Sequence, residues 1–223
     1  MLAYFHRSFF IHIIMRTLFF ILTLFSFIVT KAQDDAPDLR SKKDNFKKVM
    51  EKDVRSDAAT FTMSGIDESV SKLPLTSIPV TSYSRNDIHF EGSGISVAIT
   101  AGNFEAAKHK LIYSDKYLIK IDNKGYYGRY TEVPKHNIAL VQVMIDKDTV
   151  AIPATAYFDL YNPAFTYNDG SQVKTFAGVY QSADKRKVYI YMLNRDELGS
   201  YEVTWVIQDK KYLRRIVDFG FLK

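Results

Sequence analysis

Beyond residue 32 the chain has three histidines, His89, His109 and His136. No two of them stand at the i, i+4 spacing that lets a helix offer two imidazoles to one zinc ion. His89 lies between Ile88 and Phe90, so on a strand it shares the solvent side with Asp87 and Glu91. The glycine-bracketed serine, Ser93 in Gly92-Ser93-Gly94, lacks the wider spacing of a nucleophile elbow and reads as a tight turn. Carboxylates are the remaining catalytic candidates. Glu132, Asp159, Asp196, Glu197, Glu202 and Asp218 include enough acids for a glycosidase-type pair. Most of them fall in expected turns, where aspartate is favoured for bonding to its own backbone. Asp122-Asn123-Lys124-Gly125 and Asn168-Asp169-Gly170 resemble fragments of calcium loops, but neither continues through the twelve-residue pattern. No catalytic residue, metal ligand or cofactor is assigned from this inventory.

Aromatic residues carry more information. Tyr126, Tyr127 and Tyr130 surround Gly125, Gly128 and Arg129 in a stretch that does not alternate like a strand. Tyr157, Phe158, Tyr161, Phe165 and Tyr167 crowd a second loop-like segment around Pro163. A tyrosine offers a flat apolar face and a polar tip, which suits sugars and protein surfaces. The expected ligand-binding set is Tyr126, Tyr127, Tyr130, Tyr157 and Tyr161, with Arg129 as the charged anchor. The competing reading is that aromatics are strand formers and these cap the end of a core.

The elements that must carry these residues are mostly strands. Ile95, Val97 and Ile99 alternate with Ser96, Ala98 and Thr100, and Tyr117, Ile119 and Ile121 with Leu118, Lys120 and Asp122. Ile138 to Ile145 is apolar on both faces, which predicts a central strand covered on each side. Asp146-Lys147-Asp148 then turns the chain back into 149–152. Residues 104–113 fit a helix and a strand equally. Near the end, 188–193, 201–207 and 212–219 predict a three-strand meander with Trp205 inside and Glu202 and Thr204 on the opposite face. One helix is expected, over 41–59, where Phe46, Val49, Met50 and Val54 recur at helical spacing among Lys42, Lys43, Lys47, Lys48 and Lys52, with Asp44, Glu51 and Asp53 interspersed. The favoured reading is a helix whose thin apolar stripe packs on the domain with its charges solvated; contact with an anionic membrane or polyanion is the weaker one. The fold class is mainly β: an antiparallel β-sandwich or open barrel of roughly nine or ten strands behind one N-terminal α-helix. A break between two lobes, if the domain has one, falls at 162–174, where Pro163, Asp169 and Gly170 cluster.

The N-terminal stretch sets the expected address. Arg16, the apolar run Leu18 to Val29 and Thr30-Lys31-Ala32 form the three parts of a secretory signal peptide, with cleavage before Gln33 and Met15 as an alternative start. A membrane anchor is the weaker reading. Extending the apolar run to spanning length places Arg16 near mid-membrane, at a cost of about 2.5–3.5 kcal/mol on insertion scales. The chain contains no cysteine, so lipid attachment, disulfides and thiol chemistry are excluded. Losing residues 1–32 removes Arg7, Arg16 and Lys31 and no acid, so the net charge falls from +5 to +2. With basic and acidic residues mixed along the remainder, no nucleic-acid partner is expected. Residues 33–59 read as a polar leader and the amphipathic helix, and 60–223 as the β-domain. Its expected place is the periplasm or the exterior, touching membrane only through the signal. Two function classes follow: a non-catalytic exported domain binding a glycan, peptide or envelope protein through loop aromatics, or a small envelope hydrolase using paired carboxylates.

Overall fold

In the computed structural model the chain divides into residues 1–35 and 36–223, and the second unit is the one described. The described residues are 37–68, 74–196 and 199–220, so the expected signal peptide and Glu197 lie outside them. Among the described residues no helix is long and apolar enough to cross a membrane.

Mainly antiparallel β-structure is what the alternating pattern requires, and the structure has it. One five-stranded sheet runs β1 (Thr76–Ile78), β11 (Ala177–Gln181), β12 (Lys187–Asn194), β13 (Tyr201–Gln208) and β14 (Lys211–Phe219) in spatial order. The other runs β2 (Val80–Tyr83), β3 (Asp87–Gly92), β4 (Ile95–Asn103), β7 (His136–Ile145) and β8 (Asp148–Val150). Two hairpins stand apart, β5 (Leu111–Ser114) with β6 (Tyr117–Ile121), and β9 (Thr166–Asp169) with β10 (Gln172–Thr175). Pro79 carries the chain from one sheet to the other, since Ile78 pairs with Val179 and Val80 with Phe90. A residue with no N–H to offer a ladder suits that corner.

The inward rows of the two sheets meet in one core. Ile88, Phe90, Val97, Ile99, Val141 and Val143 from one sheet face Val188, Ile190, Met192, Val203, Trp205 and Ile207 from the other. Residues on both sides of 162–174 contribute to this core, and that segment holds all but the last residue of the β9–β10 hairpin. Trp205 is fully buried, and its indole N–H donates to the Ala156 carbonyl at 2.8 Å. The tight turns follow their residues. Ser93-Gly94 (φ 53° and 75°) closes β3 on β4, as expected, and Asp146-Lys147 (φ 51° and 74°) closes β7 on β8.

The N-terminal segment differs from the continuous helix expected over 41–59. It folds as a 3-10 turn at Phe46–Lys48 and a short helix, α1 (Lys52–Ala58), with extended backbone at Asn45, Val49 and Glu51. The cause is pairing with the end of the chain. Val217 N–H donates to the Asp44 carbonyl, and Phe46 N–H to the Asp218 carboxylate at 2.8 Å. These bonds hold the chain as a strap over the outer face of β12–β14. Phe46, Val49, Val54 and Ala58 bury against Tyr189, Val206 and Ile216, while Met50 is 88% exposed. Residues 37–40, expected as part of the polar leader, pack too, with the Arg40 guanidinium 4.1 Å from the Phe219 ring centre.

The strap also explains a second difference. β7 is covered on its inner face alone, leaving Leu140 45% exposed, whereas β12 and β13 are buried on both faces. Glu202 and Thr204 do lie opposite Trp205, but beneath the strap and away from water. The ambiguous 104–113 resolves into a 3-10 turn at Ala106–Lys108 followed by β5.

Candidate binding site

Four of the tyrosines expected to bind ligand are interior. Tyr126, Tyr127, Tyr130 and Tyr161 are each at most 6% exposed. Tyr126, Tyr130 and Tyr161 form a cluster with Leu118 and Ile121 under the β5–β6 hairpin, with edge-on ring contacts at 5.3 and 5.4 Å. Their polar tips are directed to the protein itself. The Tyr126 hydroxyl donates to the Leu118 and Arg129 carbonyls, Tyr127 to the Ser41 carbonyl and Tyr130 to the Asp38 carboxylate. Burial pushes the Tyr130 and Tyr161 hydroxyls up to about 12. Arg129 is gripped by Asp196 at 2.9 Å, beside Gly199, where a Cβ would sit 2.5 Å from the Arg129 nitrogen. Tyr157 is half-buried against the main core. The structure thus gathers Tyr126, Tyr130 and Tyr161 in one cluster, while Tyr127 and Tyr157 pack on the main core. The core-capping alternative describes these rings.

Two of the candidate carboxylates are neighbours. Glu202 and Asp218 face each other across β13 and β14, on the outer side, and are 2% and 8% exposed. Glu202 accepts from the Met63 and Ser64 N–H groups at 2.7 and 2.8 Å and from the Tyr191 hydroxyl at 3.0 Å. Asp218 accepts from Phe46 N–H, and burial with the nearby Glu202 charge pushes its carboxyl up to about 6. The pair clamps both ends of the strap. Asp159 is held in a bidentate pair by Arg215, at 2.6 and 2.9 Å. Asp122 bonds His109 at 2.7 Å, and Asn168–Gly170 turns β9 into β10. Among the described residues no three histidine, aspartate or glutamate side chains converge as a metal site would require.

An aromatic recess does exist, at the other edge of the strapped sheet. Tyr180 of β11 and Tyr191 and Leu193 of β12 project from the outer face. The β9–β10 hairpin adds Tyr167 and Thr175, Phe176 follows it, and Met63 comes from the end of the strap. The cavity measures about 350 Å³, with Arg195 exposed at its mouth. Its rings are braced in pairs, Tyr167 on Phe176 at 4.4 Å and Phe61 on Tyr180 at 4.7 Å. Such pairs fix ring planes before any ligand arrives. A second depression of about 500 Å³ shares Tyr167 and Thr175 and continues to Tyr83 and Val173, 48% and 47% exposed. Of these residues, Tyr167 alone lies in a stretch singled out for its aromatics. The available signal for the others is β12 itself, where tyrosines 189 and 191 oppose Val188, Ile190 and Met192, so both faces must be covered.

No protein-family model, curated protein or solved structure matches the chain.

Proposed function

We propose that this is an exported, non-catalytic β-domain that binds a glycan, peptide or envelope partner through aromatic side chains. The observation that carries the reading is the braced recess of Tyr167, Phe176, Tyr180 and Tyr191, which continues past Tyr167 into a second depression. Its volume falls in the range of small-ligand sites, and a largely apolar wall with one cation at the mouth suits a sugar ring or an aromatic side chain. The signal-like N-terminus and the cysteine-free chain support an exported, unlipidated form. The test is a glycan and peptide array probed with the wild-type protein and with Tyr167→Ala, whose half-exposed ring is not needed for the core. Loss of at least tenfold in affinity with an unchanged melting temperature is expected. Equal binding by the variant removes the recess as the site.

The second reading, an envelope hydrolase, has one specific observation behind it, the Glu202–Asp218 pair. Its acceptor oxygens face the strap and Tyr191, so substrate reaches them only if the strap lifts. Turnover of a glycan panel by wild type and its loss in Glu202→Gln is the result that favours this reading.

A further inference from the structure

The strap places lysines 42, 43, 47 and 48 within seven residues, and two of them line a cavity separate from the aromatic recess. This cavity, about 270 Å³, lies between the strap and the exposed edge of β14, with Thr155 and Ala156 from the 3-10 turn Ala154–Ala156 contributing to its wall. Four cations line it: Lys43 and Lys48 from the strap, Arg214 and Arg215 from β14, against the single carboxylate of Asp44.

These cations are not equivalent. Arg215 is fixed. Asp159 holds two of its nitrogens, Asp44 the Nε at 3.1 Å, and the Ala156 carbonyl lies 3.4 Å from Nη1. Burial pulls its pKa down, and the carboxylates around it more than offset that, so it stays charged. Arg214 gives one nitrogen to Glu51 at 2.8 Å, which leaves further donors of its planar fork. Lys43 and Lys48 make no ion pair among the described residues. On the same wall, the Asn45 side-chain oxygen is shielded from water and meets no donor, a costly state for a buried acceptor. The edge of the cavity carries the Tyr212 ring.

We infer that this cleft is a second binding site, for a sugar ring bearing an anionic substituent, carboxylate or sulfate. Lys43, Lys48 and the open side of Arg214 take the anion. Tyr212 lies against the ring. The volume, below the range for drug-sized ligands, matches one saccharide unit. A flat anionic membrane is the poorer fit, because these cations line a recess and do not spread over a face.

The test titrates purified protein by calorimetry with a galacturonate oligosaccharide, a sulfated disaccharide and a neutral oligosaccharide of equal length, at two salt concentrations. The two acidic arms separate carboxylate from sulfate. Acidic ligands should bind at least tenfold tighter than the neutral one, and more weakly at high salt. The double variant Lys43→Gln/Lys48→Gln should lose at least tenfold while its melting temperature stays put, since neither side chain is buried. Tyr167→Ala should bind the acidic sugars unchanged, which separates this site from the aromatic recess. Unaltered binding by the lysine variant, equal affinity for the neutral sugar, or binding to anionic vesicles without binding to the free sugars would each overturn the assignment.

Discussion

Asp218 makes stability depend on pH in a direction opposite to that of most paired carboxylates. Its carboxyl ionises at about 6 in the fold against 3.8 for the free side chain, because burial and the charge of Glu202 disfavour its anion. The folded state therefore holds the proton more tightly than the unfolded chain does. The stabilisation is complete below about pH 4 and is lost as pH rises through 6. Discounted for relaxation around the buried charge, the effect amounts to about 1–2 kcal/mol. Asp218→Asn keeps an oxygen for Phe46 N–H and carries no charge. Urea unfolding should find it equal to wild type near pH 3.5 and about 1–2 kcal/mol more stable at pH 7.5, with most of the difference appearing between pH 4 and 6. Parallel curves for the two proteins would show that Asp218 is not the titrating group. A second residue-scale prediction concerns Lys147, which sits at φ 74° in the two-residue turn after β7. A left-handed backbone costs a side-chain-bearing residue about 1–2 kcal/mol, and this turn type prefers glycine there. Lys147→Gly should recover about 0.5–1 kcal/mol in the same assay, after glycine's greater unfolded-state freedom is allowed for.

At the scale of elements, the strands were legible where short alternating runs are separated by polar turns. The meander β12–β14 is the clearest instance, each strand falling within two residues of its expected bounds. The strap was not legible as a strap. Phe46, Val49 and Val54 recur at helical spacing, yet the same residues also serve a chain held extended by partners some 170 positions away, as the bond from Phe46 N–H to Asp218 shows (a separation of 172). Spacing reports which residues are apolar and not what backbone they share. The burial of the tyrosines was not legible for a related reason. Density of rings along the chain identified Tyr126, Tyr127, Tyr130 and Tyr161, but burial depends on the β5–β6 hairpin and on residues 38–41 folding over them. The rings of the recess arrive singly from β9, β11 and β12, and nothing local gathers them.

For the whole molecule, one core joins both sheets, and the lone Trp205 lies within it, fully buried. Heating or denaturant should therefore give one cooperative transition, with tryptophan emission and far-ultraviolet circular dichroism changing together. Separate midpoints would mean that the sheets unfold independently. The same connectivity has a consequence for biosynthesis. Asp44 and Phe46 wait for Val217 and Asp218, so the strap has nothing to grip until the last strand has emerged. Until then Tyr189, Val206 and their neighbours stay open to solvent, and to any other unfinished copy. Chain completion is thus the event that seals the outer face, and a product truncated before residue 215 would be sticky rather than merely short.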